Sequence, residues 1–234
     1  MTVSSPARRS LSAIRQAAVS HTEGIALPKP LRFSLLISLA VTALSPGLSA
    51  QTPPDTLPRR LTVRHNVLTP NLGQLCRVEV AANFVYAGGQ RFILQSVADA
   101  EQHFFVNADS SRTIRDAFWV QRESLLPGQP GGYTYDADST RTVGGLLWKV
   151  DLRTNRGSPR PGSDGAAAVE FLLRSGYRFP PLAPRLRLVY LPVVGGPDEL
   201  MIIYWSSLSS ALPDTSLAAT LRRVNRSLAV TACP

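Results

Sequence analysis

Residues 107–120, Asn107-Ala-Asp-Ser-Ser-Arg-Thr-Ile-Arg-Asp-Ala-Phe-Trp-Val120, recur downstream as 136–149, Asp136-Ala-Asp-Ser-Thr-Arg-Thr-Val-Gly-Gly-Leu-Leu-Trp-Lys149, with six of fourteen positions identical. Each copy follows a short aromatic segment, His103-Phe-Phe-Val106 in one case and Tyr133-Thr-Tyr135 in the other. Each runs on into a second apolar segment. Asn, Asp and Ser side chains bond nearby backbone and favour turns. Both copies therefore read as hairpin loops joining consecutive antiparallel strands. After the second, Leu146, Trp148, Val150 and Leu152 alternate with Lys149, Asp151 and Arg153. Period two of this kind marks a strand with one buried face, and the Trp face is expected to be core. Two copies are too few for a solenoid, so a duplicated hairpin in a meander is expected.

The same alternation extends outward. Leu61, Val63, His65 and Val67 alternate with polar residues, as do Cys76, Val78 and Val80. Phe84–Tyr86 and Arg91–Val97 flank Ala87-Gly88-Gly89-Gln90, a hairpin signal. Leu186–Val194 and Glu199–Ser206 bracket a second one, Gly195-Gly196-Pro197-Asp198. Two helices interrupt the strands. Ser163 or Asp164 can cap the first, Ala166–Ser175 have the propensity for it, and Gly176 suits the left-handed position that ends it. The second begins near Asp214, with an apolar stripe of Leu217, Leu221, Val224 and Leu228. Arg222, Arg223 and Arg226 lie on its other side. No βαβ alternation appears, which argues against a doubly wound sheet. The expected class is α+β: an antiparallel, hairpin-connected sheet of six to nine strands, with two helices near 164–175 and 215–228 packed on one face.

Three segments organise the chain. Residues 1–50 read as an export leader, a signal peptide with a long n-region. Lys29 and Arg32 precede the apolar run Phe33–Ser45, and Pro46-Gly-Leu-Ser-Ala50 offers a small-residue exit. That run is shorter than the roughly 20 residues needed to span a bilayer, so no stable transmembrane anchor is expected. Arg8-Arg9 leaves a twin-arginine route open, and a misassigned start codon would also explain the length. Residues 51–60 are Pro-rich and polar, a flexible linker. Residues 61–234 form the single α+β domain. The chain has a formal charge of +9, but the leader carries five basic residues and one acid, which leaves +5 afterwards. There are two cysteines, Cys76 and Cys233. In an oxidising compartment an even pair suggests a disulfide; two buried free thiols are the alternative.

Catalytic signatures are sparse. Asp136-Ala-Asp138-Ser-Thr140 has the spacing that resembles the first motif of haloacid-dehalogenase-type phosphatases. That family needs an apolar strand before the motif, but Gly131-Gly-Tyr-Thr-Tyr135 stands there. It also needs a distant Lys, and the only Lys after the leader is Lys149, nine residues from Thr140. The first copy carries Asn107 at the nucleophile position. No G-x-S-x-G elbow, zinc-ligand spacing or phosphate-cradling Gly loop occurs. His103 beside Asp99 and Glu101, with Asp138, is the remaining low-ranked catalytic constellation, although a His among aromatic strand residues more often serves packing. No cofactor or metal is implied. No nucleic-acid motif accompanies the basic charge, and export removes most such partners.

These readings converge on an exported protein, periplasmic or extracellular. The favoured function is a noncatalytic envelope binding or accessory module for a small apolar ligand or an anionic envelope component. A secreted hydrolase with a dispersed site around His103 is the second expectation, and a structural part that pairs an exposed strand with a partner is the third.

Overall fold

A computed structural model describes residues 57–137, 139–155, 159–179, 183–207 and 216–234. The leader, most of the linker, Asp138 and Asp214 lie outside the described residues. What is described falls within one compact unit, Leu48–Pro234.

The architecture is α+β and antiparallel. In chain order the strands are β1 (Thr62–Arg64), β2 (Val67–Thr69), β3 (Leu75–Val80), β4 (Val85–Leu94), β5 (Ala98–Ala108), β6 (Ile114–Leu125), β7 (Ser139–Val143) and β8 (Leu146–Asn155). Helix α1 (Asp164–Arg174), β9 (Ala183–Tyr190), β10 (Asp198–Ser206), helix α2 (Leu217–Ser227) and β11 (Leu228–Ala232) follow. The strands form two sheets. One is four-stranded, in the order β1-β2-β3-β11, and the other seven-stranded, β4-β5-β6-β10-β9-β8-β7.

Several turns differ from expectation for local reasons. The run at 61–67 is two strands, because His65 and Asn66 both take positive φ (48° and 60°) and fold the chain into the β1–β2 hairpin. Asn66 Nδ2 donates to the carbonyls of Ala81 and Phe84, which anchors that turn. Ala87–Gln90 is not a turn but lies inside β4, beside a bulge at Tyr86–Gly88. The β4–β5 turn is at Gln95-Ser96, again with positive φ at both residues (48° and 60°). This is the mirror-image turn geometry whose twist suits a hairpin. Gly89 serves close approach instead: a Cβ there would stand 2.6 Å from the Gln102 carbonyl oxygen and 2.8 Å from His103 Nδ1.

The duplicated loops are not equivalent. Residues 109–113 do close the β5–β6 hairpin. In the second copy, Ser139–Val143 are strand β7, and the turn to β8 falls on Gly144-Gly145, with φ of 59° and 80°. The Gly pair outcompetes the Asp-Ser-Thr segment because it takes left-handed φ without a Cβ penalty.

Alternation along β5 and β6 sends side chains to two cores. Phe105, Phe118, Val120, Trp148, Val150, Leu188 and Ile202 join the four-stranded sheet and α2 through Leu68, Leu75, Val78 and Val224. Phe104, Val106, Trp119, Met201 and Ile203 face the other way and pack under α1 through Ala168 and Leu172. The Trp148 face is thus core, as its periodicity indicates. The helices divide between the two faces of the large sheet, because both faces carry apolar side chains and each must be covered. Ser163 caps α1 by accepting from Ala166 N at 3.2 Å, and Gly176 (φ 81°) ends it. Ser216 caps α2 by accepting from Ala219 N at 3.2 Å.

The last apolar position of the expected α2 stripe, Leu228, is instead the first residue of β11. Leu228 and Val230 are buried opposite Val80 and Val78 of β3. Cys76 and Cys233 are disulfide-bonded with a Cα–Cα distance of 5.1 Å, well within bridging range. The bond staples β3 to the chain's end across a separation of 157 residues. Among the described residues, no helix is long and apolar enough to cross a membrane.

Candidate functional site

Asp99, Glu101 and His103 project from one face of β5, as residues two apart on a strand must. The structure brings them together and gives each a partner. Asp99 receives both Arg91 Nε (2.9 Å) and Arg91 Nη2 (2.6 Å) and pairs with Arg60 at 2.9 Å. The Arg91 hydrogen bonds hold its carboxyl below the usual range despite partial burial. Glu101 is 2 % exposed. Its two oxygens accept from the backbone amides of Arg60 (2.8 Å) and Leu61 (2.9 Å), and Oε1 also meets His103 Nε2 at 2.9 Å. Burial alone would raise its pKa, but the His103 and backbone hydrogen bonds prevail and lower it. His103 is 1 % exposed, with its other nitrogen 2.8 Å from Tyr86 Oη. Arg91 Nη1 also reaches the Pro58 carbonyl at 2.6 Å. The cluster therefore straps residues 58–61 onto the sheet. Asp138, the fourth candidate, lies outside the described residues. Its counterpart Asp109 accepts from the amides of Ser111 and Thr113, both at 2.9 Å, which is the work of a turn.

On the opposite face of the sheet lies a second polar network that sequence patterning passed over. Gln90, Gln102 and Gln121 are register partners on β4, β5 and β6, all fully buried. Gln90 Nε2 donates to Gln102 Oε1 and Gln102 Nε2 to Gln121 Oε1, both at 2.7 Å. They also donate to the carbonyls of Ala167 and Asp164 at 3.0 Å, which ties the sheet to the start of α1. Gln121 continues the chain to Glu123. Glu123 and Glu199 are directly paired across β6 and β10. Tyr133 Oη donates to Glu123 Oε2 at 3.1 Å, and Tyr135 bonds Glu199. Burial first, and the charge of Asp164 second, push Glu123 up to about 7. Burial first, and the charge of Glu123 second, push Glu199 up to about 8. One Glu199 oxygen, Oε2, is buried without a protein hydrogen-bond partner. Further along the same face, Arg187 pairs with buried Asp151 and stacks on Tyr135 at 4.9 Å. The sequence signal was weak, because isolated Glu and Gln residues in strands look like solvent-facing positions until the second core is known.

Open space lies elsewhere. A cleft of about 390 Å³ separates α2 from the adjoining ends of β6 and β10. Arg115, Arg223 and Arg226 line it, with Asn83, Asp116 and Ser207. Tyr204 Oη donates to Asp116 Oδ1 at 2.6 Å, and the Arg223 guanidinium donates to Thr220 Oγ1 at 3.0 Å. Phe84, 3 % exposed, forms part of the wall. Neighbouring grooves are less charged; the one between β7 and α2 carries a single Arg, Arg141. Among the described residues, no group of three or more His, Cys, Asp or Glu is placed to hold a metal ion. Comparison with protein-family models, with characterised proteins and with solved structures gives no match.

Proposed function

We propose that this chain is an exported, noncatalytic binding module of the cell envelope, and that its ligand occupies the cleft between α2 and the ends of β6 and β10. The observation that carries this reading is the contrast between two polar clusters. The His103 group is buried, and its side chains are engaged in holding residues 58–61. The arginine cleft is open and lined by donors from several elements. A preformed concavity with a few convergent polar groups is the usual form of a binding site. The disulfide and the leader are compatible with an oxidising compartment.

The hydrolase reading draws less support from the geometry. A general base needs a free nitrogen within reach of a substrate proton. Both ring nitrogens of His103 face protein partners instead. The test is mass spectrometry of the oxidised protein recovered from the envelope or medium. A retained non-protein ligand near one per chain, and an amino terminus near Gln51, are the expected results. A protein that keeps its leader and carries nothing would overturn the proposal.

A further inference from the structure

We infer that the α2 cleft is a phosphate-binding site, in which Arg115, Arg223 and Arg226 grip the phosphate group of an envelope phosphoester; this rests on the binding reading above. The argument begins with charge. Among the described residues the lining holds three guanidiniums and one carboxylate, Asp116. That carboxylate already accepts from Tyr204, and the cationic character of the described lining favours an anionic group. Geometry supplies the second step. Arg223 and Arg226 are three residues apart on α2 and so share a helix face. Arg115 comes from the start of β6, and the hydrogen bond from Ser207 N to its carbonyl (2.7 Å) places Ser207 beside it. Placement near the end of α2 suits the helix dipole and accounts for Arg226 alone. It does not account for an arginine converging from the sheet.

Donor chemistry points the same way. Guanidiniums offer paired N–H groups that fit tetrahedral oxyanions. Asn83, Ser207 and Ser227 add neutral donors at the rim. A space of about 390 Å³ exceeds what a bare phosphate fills, so there is room for the group esterified to it. Phe84 and the ring of Tyr204 add an apolar portion to its wall.

The experiment uses the oxidised exported chain, from about Gln51 onward, with Arg115→Ala, Arg226→Ala and the double variant. Both arginines are exposed, so the fold tolerates their loss, and circular dichroism checks it. Calorimetric titration with glycerol 3-phosphate tests a soluble ester. Flotation with phosphatidylcholine vesicles, with and without phosphatidic acid, tests a lipid headgroup. Binding in either arm that weakens by roughly tenfold per arginine removed supports the site, and the arm that binds identifies the source. An Arg115→Lys, Arg226→Lys protein should recover part of it, since charge returns without the paired donors. Failure of both probes to bind, or equal binding by wild type and the double alanine variant, overturns the inference. If the double variant still co-purifies with the native ligand, the phosphate site is wrong while the binding module stands. If nothing co-purifies and neither probe binds, both readings fall.

Discussion

Replacing Glu199 with Gln should make this protein more stable in mildly alkaline solution and leave it nearly unchanged in acid. Glu199 and Glu123 face each other across β10 and β6, almost without solvent. Their ordinary value is 4.5, and in the fold they titrate at about 8 and about 7. The native state therefore holds their protons more tightly than the unfolded chain does. A raised carboxyl contributes stability that is complete below the unfolded value and is lost as pH climbs through the folded one. For Glu123 the displacement corresponds to about 3 kcal/mol, at roughly 1.4 kcal/mol per pH unit. Repulsion within the pair is a single interaction and counts once, so the combined loss between pH 5 and pH 8.5 is on the order of 3–5 kcal/mol. That is a large share of a domain's total stability of about 5–15 kcal/mol. For a chain of this size it corresponds to a fall in Tm of roughly 6–20 °C. Asp99, Glu101 and Asp109 have depressed values, so their contributions fade only in stronger acid, outside this window. Gln is the same shape as protonated Glu and can keep a bond with Tyr135. Glu199→Gln should match wild type at pH 5, and the Glu123→Gln, Glu199→Gln double variant should show the flattest profile. Scanning calorimetry from pH 5 to 8.5 provides the measurement. A wild-type Tm that does not fall across this range, or variants that fall in parallel with it, would refute the reasoning.

Three further outcomes follow from the same structure. Changing Cys76 and Cys233 to Ser should cost up to about 5 kcal/mol in the chain-entropy account, because the bond closes a loop of about 157 residues; denaturant titration of the variant against the oxidised protein reads it. Glu101→Ala should cost about 2–4 kcal/mol, since two backbone amides and a buried His103 lose their acceptor; hydrogen exchange should show Arg60 and Leu61 released first, whereas ligand retention should persist. Asp109→Ala should accelerate exchange at Ser111 and Thr113 while the β5–β6 ladder stays protected; slowed or unchanged exchange there would contradict the turn's dependence on that carboxylate.

The candidate site was only half legible beforehand. Asp99, Glu101 and His103 stand out because a His follows two acids at alternate positions, and their shared strand face followed from period two. Their role did not follow, since the partners that occupy them, Arg60, Leu61, Tyr86 and Arg91, depend on where the entry segment and β4 come to lie. The arginine cleft was invisible for a related reason. Arg115 and Arg226 are 111 positions apart, and in a chain with 23 Arg and two Lys no single arginine attracts notice.

Local chemistry is what the chain alone determined. The alternation Leu146–Leu152, the Ser163 cap and Gly176 terminus of α1, the Leu217–Leu221–Val224 stripe of α2 and the Gly195–Asp198 hairpin are short-range features. Periodicity and φ preference specify them within a few residues. The two cysteines likewise announced their bond through their even number. Pairing over long distance belonged to the tertiary structure. Leu228–Ala232 leaves the helical stripe because β3, some 150 residues earlier, offers an unpaired edge and a buried face. That strand completes a second sheet, which turns both faces of the first into core and parts the two helices. Once both faces are buried, Glu123 and Glu199 come to lie beneath α1 and the Tyr133–Tyr135 segment rather than in water. Their environment is set by which strands adjoin, and adjacency across a sheet is decided by the total free energy of the packed layers, not by any single stretch of the chain.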